Sequence, residues 1–252
     1  MTNPPVRSRR KRSWSWIRTL IGCLLIGAGL ISLFPVVSNL WLSNIKADVT
    51  QREAVKNFNQ KLITPDATNV PDSLKKPIDY GVPVVGSPPK YFETFGVVYI
   101  PRFGSDFSAP LVQGTGLDVL DTLGLGHYDD TAMPGEVGNF AIAGHRQTHG
   151  AVLDKIHLLE PGDKIYVQTK DGFYTYVFRN ADIVLPSAGS VLDPVPMDPT
   201  AIPTERILTM TSCNPQFGSQ ERIIAYSTMK SWQPLSAGAP AEIASTVDKT
   251  KQ

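Results

Sequence analysis

The sequence predicts a mainly β protein, in which a closed or nearly closed β-barrel of about 140 residues follows one transmembrane helix. Three observations predict this fold class. Short runs rich in β-branched and aromatic residues recur between turn signals over residues 91–230. No long helical pattern alternates with those runs, which disfavours a parallel α/β fold. Near the N-terminus, residues 19–45 form a stretch of 27 residues without a charge.

The composition is that of a folded chain with a local excess of positive charge. Of 252 residues, 42% are apolar and 19% are charged, which is enough apolar material for a core and excludes wholesale disorder. Lys and Arg number 24 and Asp and Glu number 23, so the net charge of +1 indicates no nucleic-acid partner. Six of the basic residues lie in residues 1–18, where no acid occurs.

The uncharged stretch is long enough to cross a membrane, since a hydrocarbon core of about 30 Å needs about 20 apolar helical residues. Trp14 and Trp16 on one side and Trp41 on the other suit the interfacial aromatic belts. A cleaved signal peptide is the alternative, but no small-x-small cleavage site follows, and the run exceeds the usual ~7–15 residues. Because basic flanks stay inside, we predict a single-pass cell-membrane protein with a cytoplasmic N-terminus and an extracellular domain.

Composition divides the chain into five segments. Apolar residues at helical spacing predict a short stalk helix over residues 47–63, after the anchor. Six prolines in residues 64–90 then predict an extended linker or a wrapping segment. The last residues are polar and rich in Ala, Ser and Pro, which predicts disorder. The predicted segments are a basic tail (1–18), an anchor (19–45), a stalk and linker (46–90), the β domain (91–230) and a disordered tail (231–252).

Seven runs in the β domain predict strands. The dipeptide Asp171-Gly172 stands between two of them and predicts a hairpin turn. One further patch, residues 152–159, has apolar residues at helical spacing. The predicted strands are residues 95–100, 139–143, 164–169, 173–178, 181–185, 206–211 and 222–229.

Cys213 is the candidate for chemistry. Cys23 lies in the predicted membrane stretch, so Cys213 has no cysteine partner in the outer domain. An odd extracellular thiol is a buried inert residue, half of an intermolecular disulfide, or a nucleophile. Cys213 follows a predicted strand and precedes Asn214-Pro215, a position at which a turn can present a reactive group. A thiol there needs a partner, because an ordinary thiol is only a few per cent ionised at neutral pH.

Four histidines are available as that partner. His157 lies in the apolar patch, where a packing or solvent-edge role is expected. His149 lies in a loop and carries no distinctive signal. His145 follows a predicted strand end, as Cys213 does, and is therefore the favoured base. His127 is the fourth.

Arg222 is the third candidate, nine residues after Cys213 and at the start of the next predicted strand. A solvated edge charge is the ordinary interpretation of such an arginine. A hairpin between the two residues would nevertheless bring the guanidinium near the thiol, where it could stabilise an oxyanion.

No metal site and no cofactor are predicted. The outer domain has one cysteine, no paired His/Cys spacing and no HExxH motif. Asp129, Asp130 and Glu136 are interpreted as solvated loop charges.

The motifs that contain these candidate residues resemble those of the sortases, which are membrane-anchored cysteine transpeptidases of Gram-positive bacteria. The matching motifs are A-I-A-G-H-R (residues 141–146) and T-M-T-S-C-N-P (209–215), with Arg222 beyond them. Residues 126–140 (G-H-Y-D-D-T-A-M-P-G-E-V-G-N-F) and 100–104 (I-P-R-F-G) look most like the class E branch, common in actinobacteria.

The resemblance covers about 135 residues, and it departs from the family pattern at one position. The usual T-L-x-T-C reads T-M-T-S-C here, so that Ser212 keeps the hydroxyl of the family's threonine and loses a methyl group. The resemblance implies an eight-stranded β-barrel. It also implies a nucleophile, an acid/base and an oxyanion partner, and a substrate groove. By this resemblance the chemistry falls to Cys213, His145 and Arg222. For the groove we select Tyr128, for which a packing role in a turn is the alternative, together with His127 and Thr211.

The implied activity is cleavage of a C-terminal LAxTG-like sorting signal between Thr and Gly, through a thioacyl enzyme, and transfer to a cell-wall amine. The implied partners are secreted proteins bearing that signal, the cell-wall precursor amine and membrane lipid. Three alternatives stay open at this point: a pilus-polymerising class C-like sortase, another Cys/His cell-wall transpeptidase, and a non-catalytic anchored binding domain.

Overall fold

The computed structural model describes residues 15–62 and 79–251, and it describes their side chains except those of residue 15 and of residues 33–41. The chain divides into two compact units, Met1–Leu42 and Ser43–Gln252. Most of the predicted basic tail and part of the predicted linker lie outside the described residues.

Helix α1 extends over Ser15–Lys61 and contains the stretch for which a transmembrane helix is predicted. Within that stretch, the structure describes the backbone of residues 33–41 but not their side chains. In the part of the chain that the structure describes, no helix combines the length and the apolar character that crossing a membrane requires. The structure therefore gives the predicted span no support.

Eight strands form a closed barrel, as predicted. Their order around the barrel is β1-β2-β3-β4-β7-β8-β6-β5. The strands are β1 Thr94–Tyr99, β2 Ala109–Gln113, β3 Leu125–His127, β4 Gly138–Ala143, β5 Lys164–Thr169, β6 Gly172–Val184, β7 Arg206–Asn214 and β8 Glu221–Pro234. Short helices connect or follow them: α2 Leu117–Leu123, α3 Ala244–Lys249, and 3₁₀ turns at Pro101–Phe103, Ile156–Leu158, Gly189–Leu192 and Leu235–Ala237.

Two features of the strand pairing decide where the functional residues lie. Strands β4 and β7 are parallel, with Ala143 opposite Thr211, so both strands end at the same edge of the barrel. Strands β7 and β8 form an antiparallel hairpin in which Cys213 stands opposite Arg222. The core inside the barrel is built from fully buried apolar and aromatic side chains, among them Phe140, Ile142, Tyr174, Tyr176, Leu208 and Met210.

The strand predictions fail in three places for physical reasons. Strand β2 was missed because Pro110 interrupts its apolar run, and β3 because it has three residues only. The two runs predicted at 173–178 and 181–185 are one strand, β6, whose register with β8 shifts between Phe178 and Asn180. The patch at 152–159 forms turns and a 3₁₀ turn rather than a regular α-helix.

The prediction of a disordered tail over residues 231–252 is wrong. Strand β8 continues into this segment and α3 follows it. Ile243 and Val247 are 2% and 1% exposed, and they pack in an apolar cluster on the outside of the barrel. We call this the outer cluster; its members are Val55, Val97, Tyr99, Tyr166, Phe173, Ile243 and Val247. A few well-placed apolar residues hold a segment whose overall composition is polar.

The helix predicted as a stalk is the C-terminal part of α1, and it packs on the barrel. Val55 is 1% exposed in the outer cluster. Asn59 Nδ2 donates to Tyr99 Oη at 2.9 Å and to Thr250 Oγ1 at 2.7 Å, which joins helix, barrel and tail. The proline-rich segment also follows the barrel, because Gly81 O accepts a hydrogen bond from Trp232 Nε1 at 3.0 Å.

His127 lies in the barrel wall and not in a groove, contrary to its predicted role in substrate binding. It is 1% exposed. Its Nδ1 lies 2.8 Å from Gln113 Oε1, and its Nε2 lies 3.0 Å from Ala132 O. Burial lowers the pKa of this imidazole below its ordinary value. The residue has the environment of a structural histidine.

We expect Val55→Ala to lower the free energy of unfolding by about 2–3 kcal/mol, because it removes buried methyl groups and leaves a cavity between helix and barrel. Val82→Ala is the matched control, since Val82 is 79% exposed, and it should change stability by less than about 0.5 kcal/mol. Urea denaturation of both variants measures the difference. If both substitutions changed the free energy of unfolding equally, the packing of the helix on the barrel would add nothing to the stability of the domain.

The buried His127 predicts a pH dependence of stability. Between its lowered native pKa and the ordinary pKa of the unfolded chain, the unfolded state binds more protons. The free energy of unfolding should therefore fall as the pH drops through about 6.5, by at most ~1.4 kcal/mol per pH unit for one group. Denaturation at pH 7.5 and 5.5 should show a smaller fall in His127→Gln than in wild type, and an unchanged fall in the exposed control His157→Gln. Equal falls in all three proteins would contradict this.

Candidate active site

Cys213 lies near the end of β7, half-buried and with a free thiol. Arg222 on β8 is its direct cross-strand neighbour. Side chains of directly opposite residues in an antiparallel pair lie on the same face, with Cβ atoms about 4.5–5.5 Å apart. The Arg222 guanidinium donates from Nη1 to Ser219 O and to Glu221 O, each at 2.9 Å. The hairpin thus places Arg222 directly across from Cys213, while the carbonyl groups of the turn hold its guanidinium.

His145 reaches the same edge from β4. The parallel register ends with Ala143 opposite Thr211, and His145 and Cys213 each follow two residues later along the chain. Two hydrogen bonds fix this edge: Gly144 N donates to Thr211 O at 3.2 Å, and Ser212 Oγ donates to Gly144 O at 2.7 Å. The serine that departs from the family pattern therefore supplies its hydroxyl to the link between the two strands.

Gly144 is required where it stands. A Cβ at this position would lie 2.9 Å from side-chain atoms of both Leu125 and Val152. The close packing beneath it fixes the backbone that carries His145.

Asp121 on α2 orients His145. Its Oδ1 lies 2.6 Å from His145 Nε2 and 3.5 Å from His149 Nδ1. Because a carboxylate only accepts, Nε2 is the nitrogen that carries a proton in this bond, and Nδ1 is left to exchange one with a reactant. The sequence prediction missed Asp121. The segment L-D-V-L-D-T-L indicates an amphipathic turn with exposed acids, and nothing in it distinguishes Asp121 from Asp118.

Arg146 is a second residue that sequence reasoning missed. It is 6% exposed, and its Nη1 donates to Cys213 O at 3.1 Å and to the side-chain oxygen of Asn214. Asn214 Nδ2 donates in turn to Glu221 Oε2 at 2.6 Å. A buried guanidinium is costly unless it is hydrogen-bonded, and these bonds tie the backbone of Cys213 to the segment after β4.

Tyr128 and Thr211 lie together beside the thiol. Their hydroxyl oxygens are 2.9 Å apart. Thr211 precedes Cys213 by two residues on the same strand, so the two side chains share a face of the sheet. Two of the three residues predicted to bind substrate thus lie at the site, whereas His127 does not.

The loop acids have local partners. Asp129 Oδ1 accepts from Gln113 Nε2 at 2.8 Å, and Glu136 Oε2 accepts from Met133 N at 2.9 Å. Asp121, His145 and His149 do place one ligand atom each within 4.8 Å of one another.

Comparison with known proteins identifies the family. A model of the sortase domain matches residues 98–230. Sortase SrtE1 of Streptomyces coelicolor is 34% identical over 232 residues, which cover 89% of this chain and 60% of that protein. A structure of the SrtA sortase from Actinomyces oris has 38% identity and a TM-score of 0.62, covering 65% of this chain and 94% of the other.

The class E resemblance of residues 126–140 is confirmed by such relatives. Sortase E from Streptomyces avermitilis has 37% identity and a TM-score of 0.56, with 61% of this chain and 99% of that chain covered. His145, Cys213 and Arg222 follow one another in the order of the family's motifs, and the barrel is closed and has eight strands. Both findings agree with these matches. The chain belongs to the sortase family, whose members are transpeptidases.

Proposed function

We propose that this protein is a cysteine transpeptidase that cleaves an LAxTG-like sorting signal between Thr and Gly and transfers the acyl group to a cell-wall amine. One observation carries the proposal. The β4–β7 and β7–β8 registers direct the segment after β4, which carries His145, and the strand ends that carry Cys213 and Arg222 to one edge of the barrel. A nucleophile, a proton donor and a cation at one exposed edge are the groups that acyl transfer requires.

The reaction proceeds in two acyl transfers. The Cys213 thiolate attacks the Thr carbonyl carbon, and the carbonyl oxygen becomes an oxyanion that Arg222 stabilises. Such a contact has contributed about 2.7–4 kcal/mol in other enzymes. His145 gives a proton to the glycine nitrogen as the C–N bond breaks, which leaves a thioester on Cys213. The acceptor amine then attacks the thioester and gives a proton to His145, and the thiolate leaves.

Asp121 and Arg146 support this chemistry without touching the reacting atoms. The Asp121 carboxylate holds the His145 ring at 2.6 Å and selects the nitrogen available for proton exchange. Arg146 holds the Cys213 carbonyl. Arg222 must leave its bonds to the turn carbonyls to reach the oxyanion. The bond to Ser219 O is exposed to water, which can replace Arg222 there at little cost.

The hydroxyl pair of Tyr128 and Thr211 supports a preference for alanine at the second signal position. Proline has no N–H, whereas alanine keeps one that a hydroxyl can accept. When Tyr128 donates its proton to Thr211, the Tyr128 oxygen still has a lone pair for that N–H. A proline signal would leave this acceptor unpaired.

We also propose that the enzyme is anchored at the outer face of the cell membrane through residues 19–45. The uncharged stretch and the basic residues before it support this location. Secreted substrates and a lipid-linked acceptor meet at that surface, and tethering raises their effective concentration.

The transfer assay tests the function. We expect wild type to release glycine-containing product from an LAxTG peptide and to join the remainder to an added amine. Cys213→Ala should abolish both reactions, and His145→Ala should lower the rate by about 10²–10⁴-fold. Arg222→Lys should be slow despite its charge, because an ammonium does not reproduce the guanidinium fork.

Two exposed residues serve as controls in that assay. His157→Ala should retain the wild-type rate, since His157 is exposed and its Nδ1 lies 3.1 Å from Asp154 O in its own turn. Arg179→Lys should do the same, because Arg179 forms an exposed pair with Glu205. Turnover by Cys213→Ala would exclude the thioacyl route, and no turnover by wild type would leave a non-catalytic binding domain.

Signal preference is measured as the ratio of kcat/KM for LAxTG and LPxTG peptides. We expect wild type to prefer LAxTG. Tyr128→Phe should lower the LAxTG/LPxTG ratio by about 5–150-fold, since an unpaired buried acceptor costs ~1–3 kcal/mol. Thr211→Val should lose part of it, because the Tyr128 hydroxyl then has no partner to orient it. A wild-type preference for LPxTG would contradict the proposed specificity. A full ratio in Tyr128→Phe would exclude the hydroxyl as its source.

A further inference from the structure

Asp121, His145 and His149 form a cluster that the transfer reaction uses only in part. Oδ1 of Asp121 lies 2.6 Å from His145 Nε2 and 3.5 Å from His149 Nδ1, and the three ligand atoms all lie within 4.8 Å of one another. The two imidazole rings have centroids 5.3 Å apart and planes inclined by 37°. The transfer reaction gives His149 no role.

The donor set suits a tetrahedral transition-metal ion. Zn²⁺ binds imidazole nitrogen and carboxylate oxygen at about 2.0–2.2 Å, which separates neighbouring ligand atoms by about 3.3 Å. Two imidazoles and one carboxylate leave a fourth position for water or another ligand. The 3.5 Å between Asp121 Oδ1 and His149 Nδ1 already matches this separation. The 2.6 Å between Asp121 Oδ1 and His145 Nε2 would have to lengthen by less than an ångström as the ion replaces the proton of that hydrogen bond.

His149 is held in place for such a role. Its Nδ1 is buried, and within the described part of the chain it makes no hydrogen bond. The residue has φ of 51°, in the left-handed region, and its carbonyl accepts from Gln51 Nε2 at 3.0 Å. Gly150 N donates to Asn44 Oδ1 at 3.1 Å. Helix α1 thus fixes the loop that points an unsatisfied nitrogen at Asp121.

We propose that Asp121, His145 and His149 bind one Zn²⁺ ion per chain and that the bound ion inhibits the enzyme. The ion takes the Nε2 position of His145, so Nδ1 keeps the one proton of the neutral ring and has no lone pair left to accept the proton of the attacking amine. The inhibition rests on the proposed function, whereas the binding does not. The thiol of Cys213 is the competing explanation for any zinc effect, because thiolates also bind zinc.

Calorimetric titration of zinc chloride into the full-length chain in detergent tests the binding. The Cys213→Ala background removes the thiol, and in it we expect one ion per chain. Adding His149→Ala or Asp121→Ala should weaken binding by more than about 10-fold, since even outer-shell partners of a metal contribute 10–100-fold. His157→Ala is the matched histidine control and should leave the affinity unchanged. Thermal denaturation shows whether each variant is folded.

The outcomes separate the two sites. Binding that is lost in Cys213→Ala but kept in His149→Ala would place the ion on the thiol and overturn the proposal, and so would a wild-type chain that binds no zinc. For inhibition, transfer rates are measured against zinc and normalised to each variant's own metal-free rate. Zinc should slow wild type reversibly, and His149→Ala should need more than about 10-fold higher zinc. If no variant transfers acyl groups, the titration still decides the metal site.

Discussion

The hydrogen-bonded register between β4 and β7 is the constraint on which the active site depends. Because the two strands are parallel, the residues after both of them leave the barrel at one edge. Buried polar groups pin the register: Thr209 Oγ1 donates to Asn139 Oδ1 at 2.6 Å, and Asn139 Nδ2 donates to Val191 O and to Asp193 O, each at 3.0 Å. A one-residue slip would reverse the faces of the strand and leave these groups unpaired, at about 1–3 kcal/mol each.

The segments before and after the barrel belong to the same folding unit. The C-terminal part of α1 and the tail helix meet in the outer cluster, and Asn59 bonds to both barrel and tail. The same helix reaches the active-site edge through Gln51, which holds the loop of His149. Changes in α1 can therefore alter the geometry around His145 without any residue of the helix touching the reacting atoms.

The elements that have a strong local pattern could be predicted from the sequence, and so could the position of the candidate catalytic residues at their ends. Cys213 and Arg222 lie where a strand–turn–strand pattern places them, and the His145 motif follows an apolar run. The failures concern information that is not local. Strand β3 has three residues and is recognisable only by its pairing with β2 and with β4. Asp121 and Arg146 gain their roles from partners 24 and 67 residues away.

Composition also misled where a few residues decide the outcome. The tail from Ser231 is polar on average, yet Ile243 and Val247 dock it to the barrel. His127 and Tyr128 are both predicted to lie in the substrate groove, but successive side chains of an extended chain point to opposite faces. Tyr128 reaches Thr211, while His127 points into the barrel wall and bonds to Gln113.

The central claim is that Cys213 carries the acyl group between donor and acceptor. The most direct test is the intact mass of the full-length chain after incubation with excess LAxTG peptide and no acceptor amine. The account predicts a mass increase equal to the peptide up to its threonine, less one water, located on Cys213 by peptide mapping and discharged by an added amine. An adduct on another residue, or none on a chain that still cleaves the peptide, would contradict it.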